Sequence, residues 1–483
     1  MSKDSNLSNE SRIGLLAKCV SLIDRARTHL AELDNSQFPT PATDRARDLI
    51  DEYLSKLQDR DYLERADAPI LYEALLTLPR LLEFIDNSNV EEIALPIVKL
   101  YQKLWMKLVE GHSIELFYYT SLSHNYTVES FTKYVETFFN SVFTEKETAE
   151  VNNDRPEIWC LSLSQMEGEH LPMYAMVVHE FGHVVFTLLE DQLIFSATRR
   201  FDELLSRGRH AHGMSDESGD FATWLGDALK RLAQECFCDI LAAKILGISY
   251  LAALYELAWG NEPYEWIVSE LFGGAFSDAH PSTSFRLTLI SQVCDAGQFL
   301  RDAEGEFKDL EQNYTGPISE IIALGDNTST REECTILGGK EDKQKAKRIE
   351  FLNQNLDAIK DALLLFSGDV EKLLTSRFND LFEIVNPSQV NALLDRMEKR
   401  FPPDLIQEDW KLPGKPACYA AIFTASALFR LSQMIEFKLD NEDFIQEWRR
   451  AGRLTLKAFE SSDIAQEYWN QYPWNHGKGK ERR

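Results

Sequence analysis

The sequence predicts a mainly α protein with a small β-sheet. Two observations carry this. Apolar residues recur at helical spacing through most of the 483 residues, as in Leu15, Leu16, Cys19, Val20, Leu22 and Ile23. Only Ser113–Tyr119 and Ile158–Leu163 have the dense aromatic and aliphatic texture of strands. With 44% hydrophobic and 27% charged residues, the composition is that of an ordinary globular chain. Its length suggests roughly two to four domains and easily buries a large core.

From the N-terminus, Pro39, Thr40 and Pro41 break the chain before a helix at Asp44–Leu57. Helices continue at Ile70–Ile85 and Val90–Val109. No chemistry suggests itself in this part, which reads as a packing or partner-binding domain. After the first strand, Val128–Phe143 reads as an aromatic-rich helix. Pro172 then opens a long helix, where a proline in the first turn costs little because its missing N–H would have no helical partner. Arg199–Asp220 mixes charge with Gly208, Gly213 and Gly219 and reads as a surface loop with room for a short helix. Phe221–Leu246 returns to helix with Gly247 as its stop, and Tyr250–Trp259 follows as another. Residues 304–345 are polar and glycine-containing, as a linker or loop would be. Helices then resume, one of them starting at Asn386-Pro387, and Ala420–Phe437 is apolar enough for the middle of a bundle.

Charge and cysteine usage narrow the function. The net charge of −27 disfavours nucleic acid as a partner, because an acidic surface repels phosphates. Seven scattered cysteines imply no disulfide framework and fit a reducing cytoplasm. Met1–Asn6 is polar and lacks the apolar core of a signal peptide. No uninterrupted apolar run reaches the length of a membrane span; Ile240–Trp259 comes nearest but carries Lys244 and Glu256, and reads as a buried helix pair.

The chemistry is concentrated in His179-Glu180-Phe181-Gly182-His183. Residues four apart share a helix face, so the two imidazoles can take adjacent corners of a tetrahedral Zn2+ site. Glu180, beside the first, can activate water in an open corner. The flanking Tyr174–Val178 and Val184–Phe186 are apolar, so the helix should be buried, and its polar groups need partners. Gly182 allows another backbone or a ligand to come close. Phe186 and Leu189 stand where an extended three-histidine motif would place its glycine and last histidine, so a third ligand must come from elsewhere. The best candidate is Glu235, 52 residues beyond His183, in an apolar helix that also carries Asp239. Asp239 can accept an N–H from a ligand histidine and so orient it.

A third piece, His280-Pro281-Ser282-Thr283-Ser284-Phe285-Arg286, completes an order. H-E-x-x-H, then E-x-x-x-D, then H-P-x-x-x-x-R resembles the gluzincin peptidases, nearest to the HtpX and prenyl-protein protease type. The resemblance covers residues 155–295 and lies in these three short motifs. It implies a zincin-like catalytic core, with His179, His183 and Glu235 on zinc, Glu180 as general base and Asp239 supporting a ligand. It also implies that His280 and Arg286 lie near the cleft, steadying the oxyanion or the site's architecture. Many members of that group are membrane-embedded, whereas no span is evident here.

On this reading residues 1–110 form an N-terminal helical domain and 111–303 a zincin-like metallopeptidase domain. Residues 304–345 link it to a C-terminal helical domain at 346–483. The expected activity is amide hydrolysis of a protein or peptide in the cytoplasm, with the helical flanks, and a regulatory protein partner, controlling access. Tyr174 and Tyr250 are further candidates to stabilise the oxyanion, and Ile158–Leu163 is a candidate cleft edge for an extended peptide. His210 and His212 read as loop surface, with metal binding or substrate gating the lesser reading, and His170 as a polar loop residue rather than a hydrogen-bond partner of substrate. A thiolate of Cys236 or Cys238 could bind zinc, but small buried hydrophobes explain the pair better. The alternatives are a non-catalytic helical adaptor or regulatory protein with a structural or vestigial zinc site, and a zinc hydrolase of non-peptide amides.

Overall fold

The computed structural model describes residues 9–33, 38–89, 93–122, 126–152, 155–164, 174–211, 218–257, 263–271, 276–306, 311–325, 331–339, 343–382, 385–406, 415–435 and 442–471. The chain is mainly helical with small sheets of two or three strands, and it divides into two compact units, Met1–Gly168 and Glu169–Arg483.

The first unit holds α1 (Asn9–Glu32), α2 (Pro41–Leu57), α3 (Arg60–Arg65), α4 (Ala68–Asp86), α5 (Leu95–Leu108), β1 (Ile114–Ser121), β2 (Thr127–Ser130), α6 (Phe131–Phe139), α7 (Glu145–Asn152) and β3 (Glu157–Ser164). Helix α2 shows how the sequence builds this layer. Pro41 occupies its first turn, and Leu49, Ile50, Tyr53, Leu54 and Leu57 form one fully buried stripe. Tyr53 stacks on Phe139 of α6 with ring centroids 4.8 Å apart. Each such side chain contributes about 1.5–3 kcal/mol on burial, so packing rather than helix propensity holds α2 in place.

The sheet of this unit has the order β1-β3-β2, with β1 parallel and β2 antiparallel to β3. Strand β3 is therefore central and pairs on both sides. It has no free edge at Trp159–Ser162 for an added peptide, which removes Ile158–Leu163 as a candidate cleft edge. Strand β2 occupies the start of the segment read as one helix, because Ser130 accepts the N–H of Lys133 and caps α6 there. Strand β1 packs on α2, α4 and α5, so the strands group with the N-terminal helices rather than beginning a new unit at residue 111.

The second unit begins with α8 (Met176–Leu188), α9 (Glu190–Ala211), α10 (Ser218–Leu246), α11 (Ile248–Leu257), β4 (Glu265–Glu270), β5 (Phe276–His280), α12 (Thr283–Val293), α13 (Ala296–Glu306), α14 (Glu311–Gly325) and β6 (Glu333–Gly338). It closes with α15 (Lys343–Gln354), α16 (Leu356–Phe378), a 3-10 turn at Asn379–Leu381, α17 (Pro387–Glu398), β7 (Leu405–Ile406), β8 (Lys415–Pro416), α18 (Tyr419–Ile435) and α19 (Glu442–Gln471). Helix α10 runs through the middle of this unit and packs on α8, α9, α12, α16 and β5. Gly247, at φ +59°, separates it from α11. Strand β4 is the centre of a second sheet, ordered β5-β4-β6, with β5 antiparallel and β6 parallel to it. Asn386 caps α17 with Pro387 in its first turn, and α18 is buried through Ala420–Leu431.

Beyond β2, and the strands β4 and β5 that the sequence reading does not name, two longer segments differ from it. Arg199–Ala211 is the second half of α9, not loop: Phe201 and Leu204 are buried, and a side chain at Gly208 would lie 2.8 Å from Leu225. That glycine makes room for α10 rather than a turn. Residues 304–345 carry α14 and β6, the latter hydrogen-bonded along β4. His170, Pro172, His212 and the side chain of His210 fall outside the described residues. Among the described residues, no helix is long and apolar enough to cross a membrane.

Candidate metal centre

Helices α8 and α10 bring the two motif halves together, and Gly182 sets their separation. A Cβ there would sit 2.7 Å from the Cα of Cys238 and 2.9 Å from its Cβ and Sγ. Only glycine lets the helices approach this closely. His179 and His183 project from α8 with ring centroids 5.2 Å apart, and Glu235 faces both from α10. Its carboxylate oxygens lie 3.4 Å from His179 Nε2 and 3.6 Å from His183 Nε2. Two donors each about 2.1 Å from a tetrahedral zinc are separated by about 3.4 Å, and both of these spacings are near that value. His183 Nδ1 is buried with no hydrogen-bond partner among the described residues, whereas His179 Nδ1 is held.

Asp239 does the holding. It is fully buried, one helical turn beyond Glu235, and lies 3.0 Å from His179 Nδ1. That contact leaves the Nε2 lone pair of His179 directed to the side where Glu235 lies. The guanidinium of Arg286, from α12, donates twice to Asp239, at 2.8 and 2.7 Å. The Tyr250 hydroxyl, from α11, donates to the same carboxylate. Burial would raise the Asp239 pKa, but Arg286 and His179 outweigh it and hold the group down at about 2. Arg286 and Tyr250 thus contact Asp239 behind His179.

Burial would lower the pKa of His179, but its contacts with Asp239 and Glu235 raise it to about 10. Burial, reinforced by the charge of His179, pushes His183 down to about 4. Burial also lifts Glu180 to about 7 against the pull of His179. Burial would raise Glu235 too, yet hydrogen bonds from His179 and His280 keep it well below the usual carboxylate range. The cluster therefore separates its acids: Glu235 and Asp239 are firm carboxylates, and Glu180 is poised near neutrality.

At the end of β5, His280 places Nδ1 3.3 Å from Glu235 and Nε2 3.1 Å from Asp278. Asp278 pairs in turn with Arg231 of α10 at 2.8 Å. Neither Asp278 nor Arg231 stands out in the sequence, since their connection depends on β5 lying along α10. Cys238 is the other residue that sequence reasoning left as packing. Its sulfur and one nitrogen from each of His179 and His183 lie within 4.8 Å of one another, and this group could hold a metal ion.

Comparison of the chain with protein-family models, with curated proteins and with solved structures gives no match.

Proposed function

We propose that this protein is a zinc-dependent metallopeptidase of the gluzincin type, with His179, His183 and Glu235 as zinc ligands. The observation that carries the reading is Glu180. It sits beside a ligand histidine with its pKa lifted to about 7, a property that a purely structural zinc site does not use and a general base does. Bound at these residues, zinc would supply Lewis acidity toward the scissile carbonyl and acidify water. Glu180 accepts a proton from the attacking water and returns it to the leaving nitrogen. Asp239, Tyr250 and Arg286 keep the His179 ring in one orientation. Arg286 acts on architecture, since its guanidinium is committed to Asp239. His280, with a side chain 42% exposed, is the group of this set best able to reach substrate. We assign the activity to a reducing compartment, the cytoplasm, on the strength of seven free cysteines.

The test compares wild type with Glu180→Gln by profiling cleaved proteins in cells and by metal analysis of purified chain. Cleavage should fall by about 10²–10⁴-fold with zinc retained. Products carrying no new peptide termini would point to a non-peptide amide instead. Equal zinc in wild type and His179→Ala would undo the assignment. One observation favours a second reading, a structural zinc in a helical adaptor: Cys238 lies close enough to the histidines to supply a thiolate, the usual ligand of closed sites.

A further inference from the structure

Strand β5 and helix α10 run side by side in matching steps. Alternate strand residues advance about 6.6 Å and residues four apart on a helix about 6 Å. Asp278 and His280 on one strand face thus meet Arg231 and Glu235 on one helix face. Each contact is direct: Arg231 Nε to Asp278 Oδ1 at 2.8 Å, Asp278 Oδ2 to His280 Nε2 at 3.1 Å, and His280 Nδ1 to Glu235 Oε2 at 3.3 Å. Asp278 Oδ1 also accepts the N–H of Ala279, which fixes the carboxylate to its own strand. Arg231 is fixed as well, donating to Gln234 at 2.6 Å.

We propose that Arg231, Asp278 and His280 form a positioning chain that orients the Glu235 carboxylate for metal. A carboxylate ligand has more freedom than an imidazole and needs a hydrogen bond to hold its plane. His179 and His183 approach Glu235 from α8, and His280 approaches it from β5, at the same oxygen as His179. Asp278 acts only through His280: it fixes the ring, and the ring fixes Glu235. Arg231 steadies Asp278 at its half-exposed end, where water would otherwise compete for the carboxylate. The inference rests on the metal assignment above and adds to it three residues outside the ligand set.

The experiment is a zinc competition titration against a chromophoric chelator, using the full-length chain. It compares wild type, Asp278→Ala, His280→Ala and the double variant. Each single variant should weaken zinc by about 10–100-fold, the usual effect of losing a partner of a ligand. The double variant should be no weaker than His280→Ala, because Asp278 has no other route to the metal. Asp278 is partly exposed, and the thermal midpoint of metal-free Asp278→Ala should stay at the wild-type value, whereas His280→Ala takes a partner from the buried Glu235 and should lower it, so Asp278→Ala carries the test. Undiminished zinc affinity in Asp278→Ala, or losses that multiply in the double variant, would overturn the chain. A wild-type protein that binds no zinc would overturn the metal assignment along with it.

Discussion

Two Arg–Asp–His chains converge on Glu235, one through the buried helix pair and one along the rim of β5. Arg286–Asp239–His179 and Arg231–Asp278–His280 use the same residue types and similar spacings: the Asp-to-His distances are 3.0 and 3.1 Å. Their surroundings differ. Asp239 is fully buried and bound at both oxygens by Arg286, whereas Asp278 is about one third exposed and takes a single bond from Arg231. In the buried chain each charge depends on its partner, since water cannot replace it. In the rim chain water can, so its energetic weight is small and its value is orientation.

Removing Arg286 is the strongest way to break this contrast. Arg286→Met would strip the buried Asp239 of its two guanidinium bonds, leaving only His179 and Tyr250 against it, and should cost about 3–5 kcal/mol of stability, measured by denaturant unfolding. A loss under about 1 kcal/mol would mean that the two chains are energetically alike. Gly182→Ala comes next. It forces α8 from α10 and should cost about 1–3 kcal/mol together with zinc affinity. Adding Cys238→Ala should not restore either, because the nearest atom to the new Cβ is the Cys238 Cα, at 2.7 Å.

Cobalt substitution sharpens the comparison at its meeting point. If Glu235 completes the ligand set, the cobalt-loaded protein shows no thiolate-to-metal charge-transfer band and Cys238→Ser keeps its zinc affinity. A band that disappears in Cys238→Ser would give Glu235's place to sulfur and favour the structural reading. The smallest effect belongs to Arg231→Met, under about 1 kcal/mol in stability. A salt titration should reduce even that, because screening acts on exposed pairs. A loss as large as that of Arg286→Met would show the rim chain to be buried in function.

What was legible in the sequence follows from the range of each interaction. The pair of histidines is a spacing on one helix, and so is Glu235 with Asp239; both survive as geometry. The sequence also points to Asp239 as the partner of a ligand histidine, but that the histidine is His179 depends on how α8 lies against α10. Asp278 and Arg231 were not legible: they lie 47 residues apart and meet only because β5 lies along α10. Cys238 was read as packing, and it does pack, but in the Gly182 notch between the two histidines. In the fold, the glycines and charges of Arg199–Ala211 imitated a loop, whereas Gly208 is there for helix approach. Strand β2 is not legible, because its four residues, ending in the capping Ser130 itself, carry too little pattern to stand apart from α6.

The two guanidinium–carboxylate contacts also keep the supporting acids out of the site's charge. Arg286 offsets Asp239, and Arg231 offsets Asp278. The two aspartates can therefore hold His179 and His280 in place without adding net negative charge beside Glu235. Orientation and charge are thereby set by different residues.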